Sequence, residues 1–186
     1  MTGESGIERV ELRVDGWLLR PPQPEETADA LAMLTDPDVR RWNPVPSVAD
    51  AGSAGEWLAR GADWGEGDHA SFSIVESATG RFAGNVSLHR IDREQANASI
   101  GYRVAAWARG RGAATAAVSE VTNWSFTTLG IQRVELCHAV ANPASCRVAV
   151  KAGYAIEGTL RASWAHHDGH RYDEHIHGRL ASDPRP

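Results

Sequence analysis

Apolar and polar positions alternate from Val10 to Arg20 around Asp15-Gly16, the pattern of a β-hairpin closed by a tight turn. Pro21-Pro22 ends that unit, and Glu25 to Leu34 reads as a short helix opened by acidic residues. Asp36-Pro37 and Asn43-Pro44-Val45-Pro46 punctuate a loop around Trp42, and Ser47 to Arg60 is expected to form a second helix. Three strand-like runs follow, Ala70 to Val75, Phe82 to His89 and Ala98 to Val104, parted by short polar turns as in an antiparallel meander.

Beyond Trp107 the period changes. Ala114, Ala117, Val118, Val121 and Trp124 make one stripe of a long helix from Gly112 to Leu129, stopped by Gly130. Val134 to Val140 is a strand with two largely apolar faces. Asn142-Pro143 is an N-cap followed by proline at the first helical position, opening a helix that closes at Gly153. A last hairpin is expected from Ala155 to Ala165 and Tyr172 to Leu180, turning at Asp168-Gly169. Strands, long helix, strand, helix and hairpin in that order define one mixed α+β domain over residues 1–186.

Composition narrows the function. The 186 residues are 42% hydrophobic and 23% charged, as in globular proteins. No run is apolar enough to span a membrane and the N-terminus lacks the features of a secretory signal, so a cytoplasmic protein without membrane contact is expected. The net charge of −5 and pI of 5.9 argue against nucleic acid as a partner. Charge is uneven: residues 1–70 carry 6 basic and 14 acidic groups, net −8, whereas 107–151 carry 5 and 2, net +3. That distribution suits an anionic ligand on the basic stretch and a cationic acceptor beside the acidic third.

The basic stretch holds the most informative segment, Trp107-Ala-Arg-Gly-Arg-Gly-Ala-Ala-Thr115, between a strand and a long helix. Small residues let backbone N–H groups approach a phosphate, the helix N-terminus adds unpaired donors, and Arg109 and Arg111 add charge. Asn142-Pro-Ala-Ser145 and Lys151-Ala-Gly-Tyr154 follow at the next helix. Together with Ile100-Gly-Tyr102, Leu129-Gly-Ile-Gln-Arg-Val-Glu135 and Gly153-Tyr154 to Arg161, these stretches resemble the GNAT superfamily of acyl-CoA-dependent N-acyltransferases, most closely its Rim-type branch.

That resemblance implies a mostly antiparallel sheet with helices on both faces, in which two parallel strands, Ala98 to Val104 and Val134 to Val140, splay apart around acetyl-CoA. Backbone groups of Arg103 and Val104 would pair with the pantetheine amides as an added strand edge does. Arg109, Gly110, Arg111, Gly112, Ala113 and Ala114 would cradle the pyrophosphate, and Asn142 would touch the pantetheine arm. The acceptor would be a small-molecule amine or a protein N-terminus, and a homodimer is in keeping with the family.

Amine acylation needs a base for the ammonium and an acid for the departing thiolate. The position where many relatives place a tyrosine acid is Ala149, which makes Ser145 the candidate acid; the aligned base position is Trp164, which leaves the base open among Glu135, His138 and nearby imidazoles. His138 has a suitable intrinsic pKa, and its alternative is a hydrogen-bonded core histidine. Trp42 and Trp164 are candidate walls of the acceptor pocket, with core packing as the alternative. His166, His167, His170, His175 and His177 fall in the last hairpin, and the spacing of the last two can bind metal. Turn-flanking histidines are usually solvated, so no metal is expected. Other readings are a CoA-binding module without transfer, a Rossmann site, for which Thr115 replaces the third glycine, and a metal-dependent hydrolase.

Overall fold

The computed structural model describes residues 6–43, 48–165 and 169–186. Asp15 and Gly16 both take positive φ, 47° and 82°. Such a pair forms a two-residue turn whose twist matches its strands. It joins β1 (Leu12–Val14) to β2 (Trp17–Arg20), with Val14 opposite Trp17. One helical turn at Pro24–Glu26 leads into α1 (Thr27–Thr35).

The next element departs from expectation. Asp36-Pro37 starts a helix, α2 (Pro37–Trp42), because the Asp36 carboxylate accepts from the N–H groups of Asp38 and Val39 and proline sits at the first helical position. The following helix, α3 (Ala51–Ala62), begins later than expected. Asp50 caps it, accepting from Ser53 N at 2.8 Å. Pro44 to Ser47 lie outside the described residues.

The meander is present as β3 (Ala70–Glu76), β4 (Phe82–Asp92) and β5 (Asn97–Val104). Then come α4 (Ala113–Thr128), β6 (Arg133–Ala139), α5 (Pro143–Lys151), β7 (Ala155–Ala165) and β8 (Arg171–Leu180). The expected turn at Asp168 falls outside the described residues. All eight strands form one sheet in the order β1-β2-β3-β4-β5-β6-β8-β7. Every neighbouring pair is antiparallel except β5 and β6.

Helices cover both faces. On one, α4 buries Ala117, Val118, Val121 and Trp124 against Phe72, Val86, Leu88 and Ile100. Trp64, Phe72 and Trp124 form an aromatic cluster there, with centroids 4.8 Å apart for Trp64–Phe72 and 5.4 Å for Phe72–Trp124. On the other face, α1, α2 and α3 bury Met33, Leu34, Val39 and Leu58 against Phe82 and Ala105.

Only three rungs join β5 to β6: Asn97–Arg133, Ala98–Val134 and Ser99–Glu135. Beyond them β5 stays with β4 as far as Gly84–Val104, and β6 stays with β8 as far as Ala139–Glu174. At Gly84 a Cβ would collide with the Arg103 carbonyl oxygen. Only glycine lets β4 follow β5 there as it bends away. The two parallel strands therefore separate as expected, each held by its outer neighbour.

Trp64 is 1% exposed, and its Nε1 donates to the Gly61 carbonyl. Trp64→Ala should lower unfolding free energy by roughly 3–5 kcal/mol in urea titrations. Trp164→Ala, on edge strand β7, should stay within about 0.5 kcal/mol of wild type.

Candidate active site

The gap between β5 and β6 continues into a cleft of about 640 Å³. Its lining includes Ile100 to Val104, Leu136 to Ala139, residues 108–110 and 112–115, and Asn142 to Ser145. Gly112 caps α4 in the left-handed region, φ 84°, where an L-residue is strained. It offers no capping side chain, and the first helical bond runs from Ala116 N to its carbonyl. The N–H groups of residues 113–115 therefore lack helical acceptors at the cleft wall, the arrangement that binds anions. Arg103 and Val104 line the same cleft on the strand edge that β6 has left.

The two loop arginines behave differently from expectation. Arg109 binds Asp38 at 2.9 Å and Asp36 at 2.5 Å, and Arg111 binds Glu76 at 2.5 Å. Both are matched by carboxylates instead of standing free for an anion. Burial works to raise the Asp36 carboxyl, but Arg109 and the backbone N–H groups of Val39 and Asp38 hold it below the usual range. Thr79 and Arg111 hold Glu76 low in the same way. On α5, Arg147 and Lys151 line the cleft without an ion pair among the described residues and are available to a phosphate. Their place in the net-positive 107–151 stretch was the signal in the sequence.

Ser145 sits in the first turn of α5. Asn142 Oδ1 accepts from its N–H at 3.2 Å, so Asn142 is both cap and cleft residue. The Ser145 hydroxyl is 2.8 Å from the Tyr102 hydroxyl of β5. Burial raises the Tyr102 phenol above its ordinary value and keeps it protonated. Tyr102 was legible only as part of a motif; nothing in the sequence showed its contact with a residue 43 positions away.

His138 reaches the cleft but is 6% exposed, with both ring nitrogens engaged: Nδ1 with the Ala139 carbonyl at 2.9 Å and Nε2 with His177 Nε2 at 3.1 Å. It is the hydrogen-bonded buried histidine of the alternative reading. Burial lowers its pKa and that of His177, so both are neutral near pH 7. Glu135 is the partner of Arg133, at 3.0 Å. Two carboxylates line the cleft: Asp38 of α2, which is paired with Arg109, and Glu174 of β8, which accepts from Ser163 Oγ at 2.7 Å and was absent from the sequence candidates.

Trp42 lines the cleft, its ring covered by the Arg41 guanidinium at 4.7 Å. Trp164 is 40% exposed on β7, outside the cleft lining. His175 and His177 are not solvated turn residues: they point from β8 toward His138, with His177 fully buried. His166 and His167 lie outside the described residues.

A smaller cavity of about 210 Å³ opens under α3, lined by Trp57, Arg60, His69, Ser71, Asn85, Ser87 and Arg103. Arg103 borders both cavities and has no carboxylate partner among the described residues; burial pushes its guanidinium down to about 10. The acidic first third is meanwhile partly neutralised, with Glu26 on Arg20 and Asp36 and Asp38 on Arg109. Arg20 is already counted in the net −8 of residues 1–70, so Arg109 alone adds a cation and the segment stays strongly acidic.

Residues 17–155 match the family model described as the acetyltransferase (GNAT) domain, and the chain belongs to that family. It is similar to "Uncharacterized N-acetyltransferase p20" of Bacillus licheniformis, 29% identical over 138 residues, 73% of this chain and 78% of that one. It is 36% identical to "Putative ribosomal N-acetyltransferase YdaF" of Bacillus subtilis (strain 168) over 113 residues, 57% of this chain and 61% of YdaF. In fold it is similar to Mycobacterium smegmatis RimJ in complex with CoA-disulfide: TM-score 0.81, 24% identity, 93% of this chain and 87% of RimJ. The Rim-type resemblance is borne out, and these relatives make the chain an N-acetyltransferase. Among the described residues, no helix is long and apolar enough to cross a membrane.

A Cβ at Gly112 would meet nothing within 4 Å. Gly112→Leu should therefore fold, at about 1–2 kcal/mol of backbone strain, while isothermal titration shows CoA affinity at least ~10-fold weaker. Asp36 and Glu76 have lowered pKa values, so their stabilisation is present above the ordinary carboxylate pKa and disappears as pH falls through the lowered one. Thermal midpoints should thus drop as pH goes below about 4, and Asp36→Asn should flatten part of that drop.

Proposed function

We propose that the protein transfers an acetyl group from acetyl-CoA to a primary amine, a protein N-terminus or a small-molecule amine, by direct attack with both substrates bound. One observation carries this reading. A single opening in the sheet gathers the anion-binding first turn of α4, the free edge of β5, the Tyr102–Ser145 pair and Glu174.

The residues present fit acetyl-CoA. The first-turn N–H groups of α4, aided by Arg147 and Lys151, would hold its phosphates. Arg103 and Val104 would extend the sheet to its amides, and Asn142 would meet the pantetheine arm. When bound it supplies an activated acetyl thioester. Glu174 would take the proton that the ammonium must lose, the role left open in the sequence. Ser145 would give its proton to the departing thiolate and recover one from Tyr102, 2.8 Å away. Much of the acceleration comes from holding amine and thioester in line.

The unpaired Arg103 guanidinium favours an acceptor with a carboxylate or carbonyl-rich segment near its amine, as a peptide N-terminus has, over a polyamine. The missing tyrosine at Ala149 had kept a non-catalytic module open; the hydroxyl pair and Glu174 supply both proton-handling groups without it.

Thiol release from acetyl-CoA, measured across N-terminal peptides and small amines, tests the reading. Ser145→Ala and Glu174→Gln should each lower kcat by roughly 10²–10⁴-fold. Changes confined to KM would reduce both residues to binding roles, and polyamines as the best acceptors would overturn the part given to Arg103.

A further inference from the structure

The three imidazoles beside the cleft have a fourth companion. His138 and His175 face each other across β6 and β8, His177 lies two residues further along the same face, and α5 lays Cys146 over them. One ligand atom from each of the four residues falls within 4.8 Å of all the others. The chain positions are 138, 146, 175 and 177, so three separate elements converge.

Proton placement sharpens the picture. His138 Nδ1 donates to the Ala139 carbonyl at 2.9 Å, which leaves the lone pair on Nε2. A backbone carbonyl in that position is how proteins usually orient a metal-binding histidine. His177 Nδ1 is buried and has no hydrogen-bond partner among the described residues. The two Nε2 atoms are 3.1 Å apart. In the metal-free chain one proton shared at that distance makes a hydrogen bond, and moving it to His177 Nδ1 would turn both lone pairs onto a single ion. Nitrogens bound tetrahedrally to one zinc ion at about 2.0–2.1 Å stand about 3.3–3.4 Å apart, close to the separation found. His175 Nδ1 is also buried and has no hydrogen bond among the described residues.

We infer that His138, Cys146, His175 and His177 bind one divalent transition-metal ion of the zinc type. Three imidazoles and one thiolate are a donor set for a borderline-soft ion and a poor one for magnesium or calcium. Binding would release the Cys146 thiol proton to solvent as the sulfur–metal bond forms. All four tetrahedral positions come from protein, so the site is closed and structural, with no place for a reacting water. Its effect is mechanical. Cys146 follows Ser145 directly, and a bond from its sulfur to three strand histidines fastens the helix that carries Ser145 and Asn142 to the sheet. The inference stands whether or not acetyl transfer proceeds as proposed.

The test uses the full chain, stripped with chelator and titrated with cobalt(II) alone. The expected result is saturation at one equivalent per chain, with a thiolate-to-cobalt charge-transfer band and visible bands of tetrahedral intensity. Cys146→Ser should lose the charge-transfer band. His175→Ala should weaken binding by more than about 100-fold. Cys137→Ser, removing the exposed thiol on the opposite face of β6, should keep every feature. Zinc should raise the thermal midpoint of the wild type but not of Cys146→Ala, a second variant in case serine misfolds. Cobalt that does not saturate, a band absent from the wild type, or one that follows Cys137 instead of Cys146 would overturn the inference.

Discussion

Three backbone rungs between β5 and β6 hold the two halves of the sheet together, and the site exists because there are no more. Each strand is committed along its outer edge, β5 to β4 and β6 to β8, so parting them leaves a shared inner edge of unpaired donors and acceptors. Buried backbone groups without partners are costly, and an extended amide chain laid in the gap satisfies them. The rest of the site follows from that opening. Tyr102 of β5 reaches across to α5, α4 starts where β5 has diverged, and Glu174 enters from the strand that backs β6.

The two faces of the sheet differ in chemistry as well as in cover. Under α4 the side chains are apolar, with the Trp64–Phe72–Trp124 cluster at the centre. Under α3 the strands present Ser71, Ser73, Asn85, Ser87 and Arg103. Most of these groups are satisfied: Ser71 with Ser87 at 2.7 Å, Ser73 with Glu26 at 2.5 Å, and Asn85 Nδ2 with the Phe72 carbonyl at 3.0 Å. Among the described residues Arg103 has no carboxylate to answer it, and an unpaired charge with restricted access to water is expensive to keep. That contrast sets Arg103 apart from the satisfied polar network around it.

Local chemistry was readable and long-range pairing was not. Asp15-Gly16, the α4 stripe and the Asn142-Pro143 cap each rest on residues within one turn or hairpin, and each element formed where expected. Asp36-Pro37 carries two meanings at once, turn and helix start, and the second prevails because the Asp36 carboxylate caps α2. Arg109 and Asp36 are 73 positions apart, and His138 and His177 are 39 apart. No periodicity links such pairs. The proposed anion cradle was legible through Gly112, whereas the partners of its arginines, the Tyr102–Ser145 hydrogen bond and the place of Glu174 in the cleft came only from the folded chain.

The ties from Arg109 to Asp36 and Asp38 bear on how this scaffold can be re-engineered. Helix α2 supplies Val39 and Trp42 to one wall of the cleft while its first turn anchors the loop that leads into α4 on the other. A chimera that imports the α1–α2 region of a relative to change acceptor choice would import or delete that anchor with it. The shape of that cleft wall and the anchoring of the loop are thus inherited as one cassette, and a transplant retains both only if the incoming segment keeps carboxylates at positions 36 and 38.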